Sequence, residues 1–111
     1  MEKVITEIDS GGIARVTLNN PSKHNAFDDQ IIAQLTDAFS AVAANSNVRV
    51  MVLASEGKIF SAGADLDWMK RMASYSYDEN LQDARALALM LQTLKTMPQP
   101  TIARIQGAVF G

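Results

Sequence analysis

The chain has 111 residues, 48% of them hydrophobic, enough for one small domain with a modest core. Ten Lys and Arg against twelve Asp and Glu leave a net charge of −2, which supports neither a nucleic-acid nor an anionic-membrane footprint. With no cysteine and one histidine, disulfides, thiolate catalysis, Cys-ligated metals and His-rich metal sites are excluded.

The start, Met1 to Glu7, is acidic and alternating, unlike a secretory signal or an Arg-rich transit peptide. No apolar run approaches the ~20 residues of a membrane span, so no membrane partner is expected and a cytoplasmic location is. Val4, Thr6 and Ile8 alternate before Asp9-Ser10-Gly11-Gly12, and β-branched residues recur from Ile13 to Leu18, which predicts a hairpin. Asn19 to Lys23 is a turn-rich loop. Asp28 then caps a predicted helix with Ile31, Ile32, Leu35, Phe39 and Val42 on one face. Two strands and a helix make one turn of a ββα spiral.

Val48 to Ala54 is almost wholly apolar and predicts a strand covered on both faces, with Ser55 to Lys58 as its exit loop. Leu66 to Met72 predicts a short helix. Ser76 and Glu79 have the spacing of a capping box, and the helix they open carries Leu81, Ala84, Leu87, Ala88, Leu91 and Leu94 on one stripe before Pro98. Thr101 to Gln106 is the next predicted strand and Gly107 its exit. A strand–helix–strand unit this long favours parallel pairing with a right-handed crossover.

Between the Val48–Ala54 strand and the short helix lies Phe60-Ser61-Ala62-Gly63-Ala64-Asp65-Leu66. Small residues at the carboxyl end of a parallel strand leave backbone amides uncovered, and a helix amino end adds partial positive charge. Gly63 permits close approach or φ > 0, and the Ala64 methyl barely screens its own N–H. An oxygen that becomes anionic would be stabilised there, as in half of an oxyanion hole.

Asn19-Asn20-Pro21-Ser22-Lys23-His24-Asn25-Ala26-Phe27, then Phe60 to Leu66, then Pro100-Thr101-Ile102-Ala103-Arg104-Ile105-Gln106-Gly107 resemble, in that order, the enoyl-CoA hydratase/isomerase (crotonase) superfamily. The resemblance implies an α/β crotonase-like ββα spiral of which residues 1–111 form the N-terminal portion, continuing through a glycine run that begins at Gly111. It implies an acyl-CoA thioester as substrate, no separate cofactor, no metal, and homotrimers or hexamers at full length. The Ala64 N–H would bind the thioester oxygen, and Lys23, Ala26, Ala62, Gly63, Asp65, Leu66 and Trp68 would line the substrate. The second donor and the water-handling glutamates would follow Gly111, so residues 1–111 alone are expected to be inactive. The run Ala64 to Met72 further resembles hydratases of carboxylated branched acyl-CoA thioesters, such as methylglutaconyl- or carboxygeranoyl-CoA hydratases.

Several residues carry two readings. Asp65 reads as a helix cap before it reads as a proton-transfer group, and Asp67 has no motif that makes it one. Lys23 is either a solvated loop lysine or a cation near a CoA phosphate. His24 reads as surface or loop packing, Glu56 as a surface charge, and Trp68, Met69 and Met72 as core or acyl-pocket lining. Arg104 on an apolar strand marks either an edge or a ligand acid. Isomerase or hydrolase chemistry on the same fold, and a non-catalytic acyl-CoA-binding role, are the alternatives to a hydratase in fatty-acid or branched-chain catabolism.

Overall fold

Residues 2–111 are described by a computed structural model, in which one four-stranded sheet has the order β1-β2-β3-β4. β1 (Val4–Ile8) and β2 (Ile13–Leu18) pair antiparallel, from Val4 opposite Leu18 to Ile8 opposite Ala14. β3 (Val50–Ser55) runs parallel to β2, and β4 (Thr101–Ala103) runs parallel to β3. The hairpin and the parallel crossover are thus as the sequence predicts.

The hairpin closes because Asp9 Oδ1 accepts from the N–H groups of Gly11 (2.8 Å) and Ile13 (3.0 Å). α1 (Asp29–Ala44) begins where Asp28 Oδ1 accepts the Ile31 N–H at 2.8 Å. Such a cap contributes about 1 kcal/mol. The periodicity of Ile31, Ile32, Leu35, Phe39 and Val42 then places all five in the core, against Ala14, Val16, Leu18 and Met51. Each large side chain buried there contributes about 1.5–3 kcal/mol. α2 (Leu66–Met72) and α3 (Tyr77–Lys95) follow β3, and α3 opens with a capping box in which Ser76 and Glu79 exchange hydrogen bonds.

Three expectations are corrected. β3 starts at Val50 rather than Val48, because the Asn45 side chain and carbonyl take the N–H groups of Asn47 and Val48 into a turn. Its two faces are also unequally covered: Met51 is fully buried in the core with α1, while on the opposite face Ala54 is buried but Val50 and Val52 are only half-buried. β4 stops at Ala103 rather than Gln106, since the Gln106 side chain donates to Ser55 and Gly57 and the backbone turns at Gly107. Apart from these three, the α3 stripe is largely open: Leu81 and Leu94 are half-buried and Ala84, Leu87, Ala88 and Leu91 are exposed, while Met90 beside it is buried. Among the described residues no helix is long and apolar enough to cross a membrane, and no group of three or more His, Asp or Glu side chains is arranged to hold a metal.

Phe39 is 1% exposed at the centre of the α1–sheet contact. Phe39→Ala is expected to lower the unfolding free energy by about 3–5 kcal/mol, read as a drop in the urea midpoint at unchanged slope.

Candidate functional site

The loop Asn19 to Phe27 and the turn Phe60 to Asp65 are stitched together residue by residue. A 3₁₀ turn at Pro21–Lys23 ends in left-handed backbone at His24 (φ 53°) and Asn25 (φ 54°), a conformation that asparagine tolerates better than most residues. This buries the Asn25 side chain completely. Its amide donates to the carbonyls of Glu56 (2.8 Å) and Ile59 (3.1 Å) and accepts from the Asn20 N–H (2.8 Å). Ser61 Oγ donates to the Asn25 carbonyl at 2.9 Å and accepts the Gly63 N–H at 3.1 Å.

The remaining amides of the turn divide sharply. Ala62 N–H donates to the His24 carbonyl (2.9 Å), and Asp65 N–H donates to the Phe27 carbonyl (2.7 Å). Phe27 N–H returns a bond to the Gly63 carbonyl (2.7 Å), so Phe27 and Ala64 form a short parallel bridge. The Ala64 N–H donates to no group among the described residues. Ala64 itself is exposed, so an unpaired donor is held by bonded neighbours on both sides.

Two cavities meet at this turn. The first, about 630 Å³, is lined by Lys23, Ala26, Ala62, Gly63, Ala64, Asp65 and Leu66, all singled out in the sequence, and also by His24, Asp67, Met69 and Gly111. The second, about 480 Å³, is predominantly apolar and is walled by Phe27, Phe60, Trp68, Leu87, Met90, Leu91 and Phe110, with Gly63, Ala64 and Gly111 common to both. Gly63 (φ 87°) has to be glycine: a Cβ there would come within 3.3 Å of the Phe110 carbonyl oxygen in a backbone conformation that L side chains rarely adopt.

The side chains sort accordingly. Asp65 is a cap, accepting the Trp68 N–H at 3.3 Å, as expected. Trp68 is both core and cavity wall, 6% exposed; Met72 packs against the core and Met69 lines the first cavity. Lys23 stands at the first cavity with its Nζ 3.5 Å from Asp67, an exposed ion pair. His24 is an exposed loop residue whose carbonyl accepts from Ala62 and which borders the same cavity. Arg104 and Glu56 lie elsewhere, beside Arg15 in a polar cleft of about 330 Å³ on the sheet face away from α1. Sequence reasoning missed Asn25 and Ser61 as the stitch; an asparagine inside a Pro-containing loop was the available signal for the first, and Ser61 offered none. α2 is further tied to α1 by Arg71 and Asp29 at 3.0 Å, and the Arg71 guanidinium is raised above its ordinary pKa by its hydrogen bond to Tyr75 and by Asp29 nearby.

A family model described as enoyl-CoA hydratase/isomerase matches residues 8–111. Among solved structures, an enoyl-CoA hydratase from Shewanella pealeana is 37% identical with a TM-score of 0.96, over 99% of this chain and 41% of that one. The enoyl-CoA hydratase of Mycobacterium smegmatis is 31% identical with a TM-score of 0.87, over 96% of this chain and 41% of that one. Enoyl-CoA hydratase domain-containing protein 3, mitochondrial, of Xenopus laevis is 32% identical over 86% of this chain and 32% of its own length. The chain therefore spans less than half the length of each of these proteins.

The stitch predicts its own failure. Asn25→Ala strands two carbonyls and one N–H and places alanine at positive φ, and is expected to cost at least about 2 kcal/mol. Ser61→Ala, which frees the Gly63 N–H, is expected to cost about 1–3 kcal/mol. Urea unfolding measures both. Hydrogen exchange at Phe27 and Asp65 should accelerate in each variant.

Proposed function

The chain belongs to the enoyl-CoA hydratase/isomerase family, and from that membership we propose that it forms the oxyanion-binding half of an acyl-CoA hydratase. What supports the reading is one observation: the Ala64 N–H is unpaired between bonded neighbours and opens where the two cavities meet. The thioester oxygen sits at that N–H, the acyl chain enters the apolar cavity, and the CoA portion follows the side of Lys23 and His24. Lys23 is there the cation for a CoA phosphate, exchanging Asp67 for it.

The chemistry needs such a donor. Water adds to the β-carbon of an α,β-unsaturated thioester, the electron pair of the double bond moves to the thioester oxygen as an enolate, and protonation at the α-carbon completes hydration. A fixed amide aimed at that oxygen lowers the barrier because it strengthens as the charge develops. The Gly111 backbone lies against Gly63, where a second donor would join the first, and the proton-transferring carboxylates are not among the residues of this turn. Asp65 and Asp67 have structural roles and are left out of the proton transfers.

The finer substrate class, a branched and carboxylated acyl group, rests on the run Ala64 to Met72; the apolar wall of the second cavity fits the branched part. Assembly into trimers or paired trimers and a cytoplasmic location belong to the same proposal, with Leu89 and Phe110 offering apolar surface for assembly. Isomerisation is the second reading, favoured by the same amide, since a dienolate would use it equally.

In the intact protein Ala64→Pro is expected to lower kcat about 10²–10³-fold while circular dichroism is unchanged. Turnover is followed as loss of the conjugated-thioester absorbance. Incorporation of ¹⁸O from labelled water into the product distinguishes hydration from isomerisation, and unchanged turnover in Ala64→Pro would refute the assignment of the donor. A branched enoyl-CoA with and without a terminal carboxylate, compared by kcat/KM, tests the finer class.

A further inference from the structure

Trp68 is held at both ends. Its backbone N–H donates to Asp65, the residue next to Ala64, and its indole Nε1–H donates to Asp83 Oδ2 on α3 at 3.0 Å. The ring is 6% exposed and forms part of the apolar cavity wall. Asp83 stands four, seven and eight residues before Leu87, Met90 and Leu91, the α3 side chains that line that cavity, and so heads the same helix face.

A half-buried carboxylate at the head of an apolar face is costly unless it is hydrogen-bonded, and a buried indole N–H needs an acceptor. Among the described residues Asp83 forms no ion pair, and the indole is its hydrogen-bond partner. Each group therefore satisfies the other. We propose that Asp83 is a positioning residue that locks the Trp68 indole against the cavity wall and thereby keeps the cavity deep enough for long acyl chains; this rests on the acyl-CoA reading above. Without that acceptor the N–H turns toward water at the cavity mouth and the ring obstructs the distal part. Short chains, which end before the obstruction, are unaffected.

The test uses the intact protein with butyryl-CoA and decanoyl-CoA, binding being measured by calorimetry and the ring's environment by indole fluorescence. Asp83→Leu removes the acceptor; Asp83→Asn keeps a carbonyl acceptor and serves as the rescue. Asp83→Leu is expected to weaken decanoyl-CoA about tenfold and butyryl-CoA less than about twofold, while Asp83→Asn binds both as the parent does. The emission of Asp83→Leu should shift to the red as the indole reaches water, and this shift should vanish in a Trp68→Phe background. Equal weakening of both ligands, or no change in either, overturns the proposal. If Asp83→Leu does not fold, Asp83→Ala, which also removes the acceptor and keeps the indole, carries the same comparison with the same expected and overturning results. A parent protein that binds neither ligand overturns the acyl-CoA reading and the length selection with it, whereas the emission shift on Asp83→Leu reports the lock independently of any ligand.

Discussion

The buried side chain of Asn25 is the constraint on which the rest of the site depends. It bonds three backbone groups from two segments more than thirty residues apart, and its own carbonyl receives Ser61. Neither segment has a regular element of its own to hold it at that point. Each buried polar group left unpaired would cost about 1–3 kcal/mol, so the loop and the turn are stable together and not separately. The sheet and α1 bring the two segments close, and Asn25 converts closeness into a defined geometry.

That geometry is what leaves the Ala64 amide free. A turn of small residues has several N–H groups, and in water they would be equivalent. Here Ala62, Gly63 and Asp65 are each assigned an acceptor, and Ala64 between the last two is left without one. Because its neighbours are bonded, this N–H keeps its direction without reorganising as charge develops, which is the property an oxyanion donor requires. The conformation at Gly63 serves the same end from the other side, admitting the Phe110–Gly111 backbone to a distance that a side chain would forbid.

Both cavities are largely apolar, and they differ in the charged groups at their edges. Lys23, Asp65 and Asp67 border the first, whereas the second is walled by the core side of Trp68 and by α3. A helix with an unpartnered leucine face would be a liability in a finished surface, yet beside a cavity it is a ready wall for an apolar ligand. Asp83 is the polar exception on that wall, and Trp68 is the residue that satisfies it.

Much of this was legible in the sequence because it depends on neighbours along the chain. The hairpin, the caps at Asp28 and Asp65, the capping box at Ser76 and the buried face of α1 follow from local hydrogen bonding and from periodicity, and the residues around Ala64 could be picked out by their smallness and by resemblance. The register of the sheet, the end of β4 at Ala103 and the unequal cover of the two faces of β3 were not legible. They depend on which face meets another element, and periodicity marks a face as apolar without saying what covers it. Smallness and resemblance pointed to the Ala64 amide, but not to the acceptors that would take up the amides beside it. His24, Phe27 and Ser61 supply the acceptors for Ala62, Asp65 and Gly63, and only folding brings His24 and Phe27, distant along the chain, to within three ångströms or so of the groups they bond.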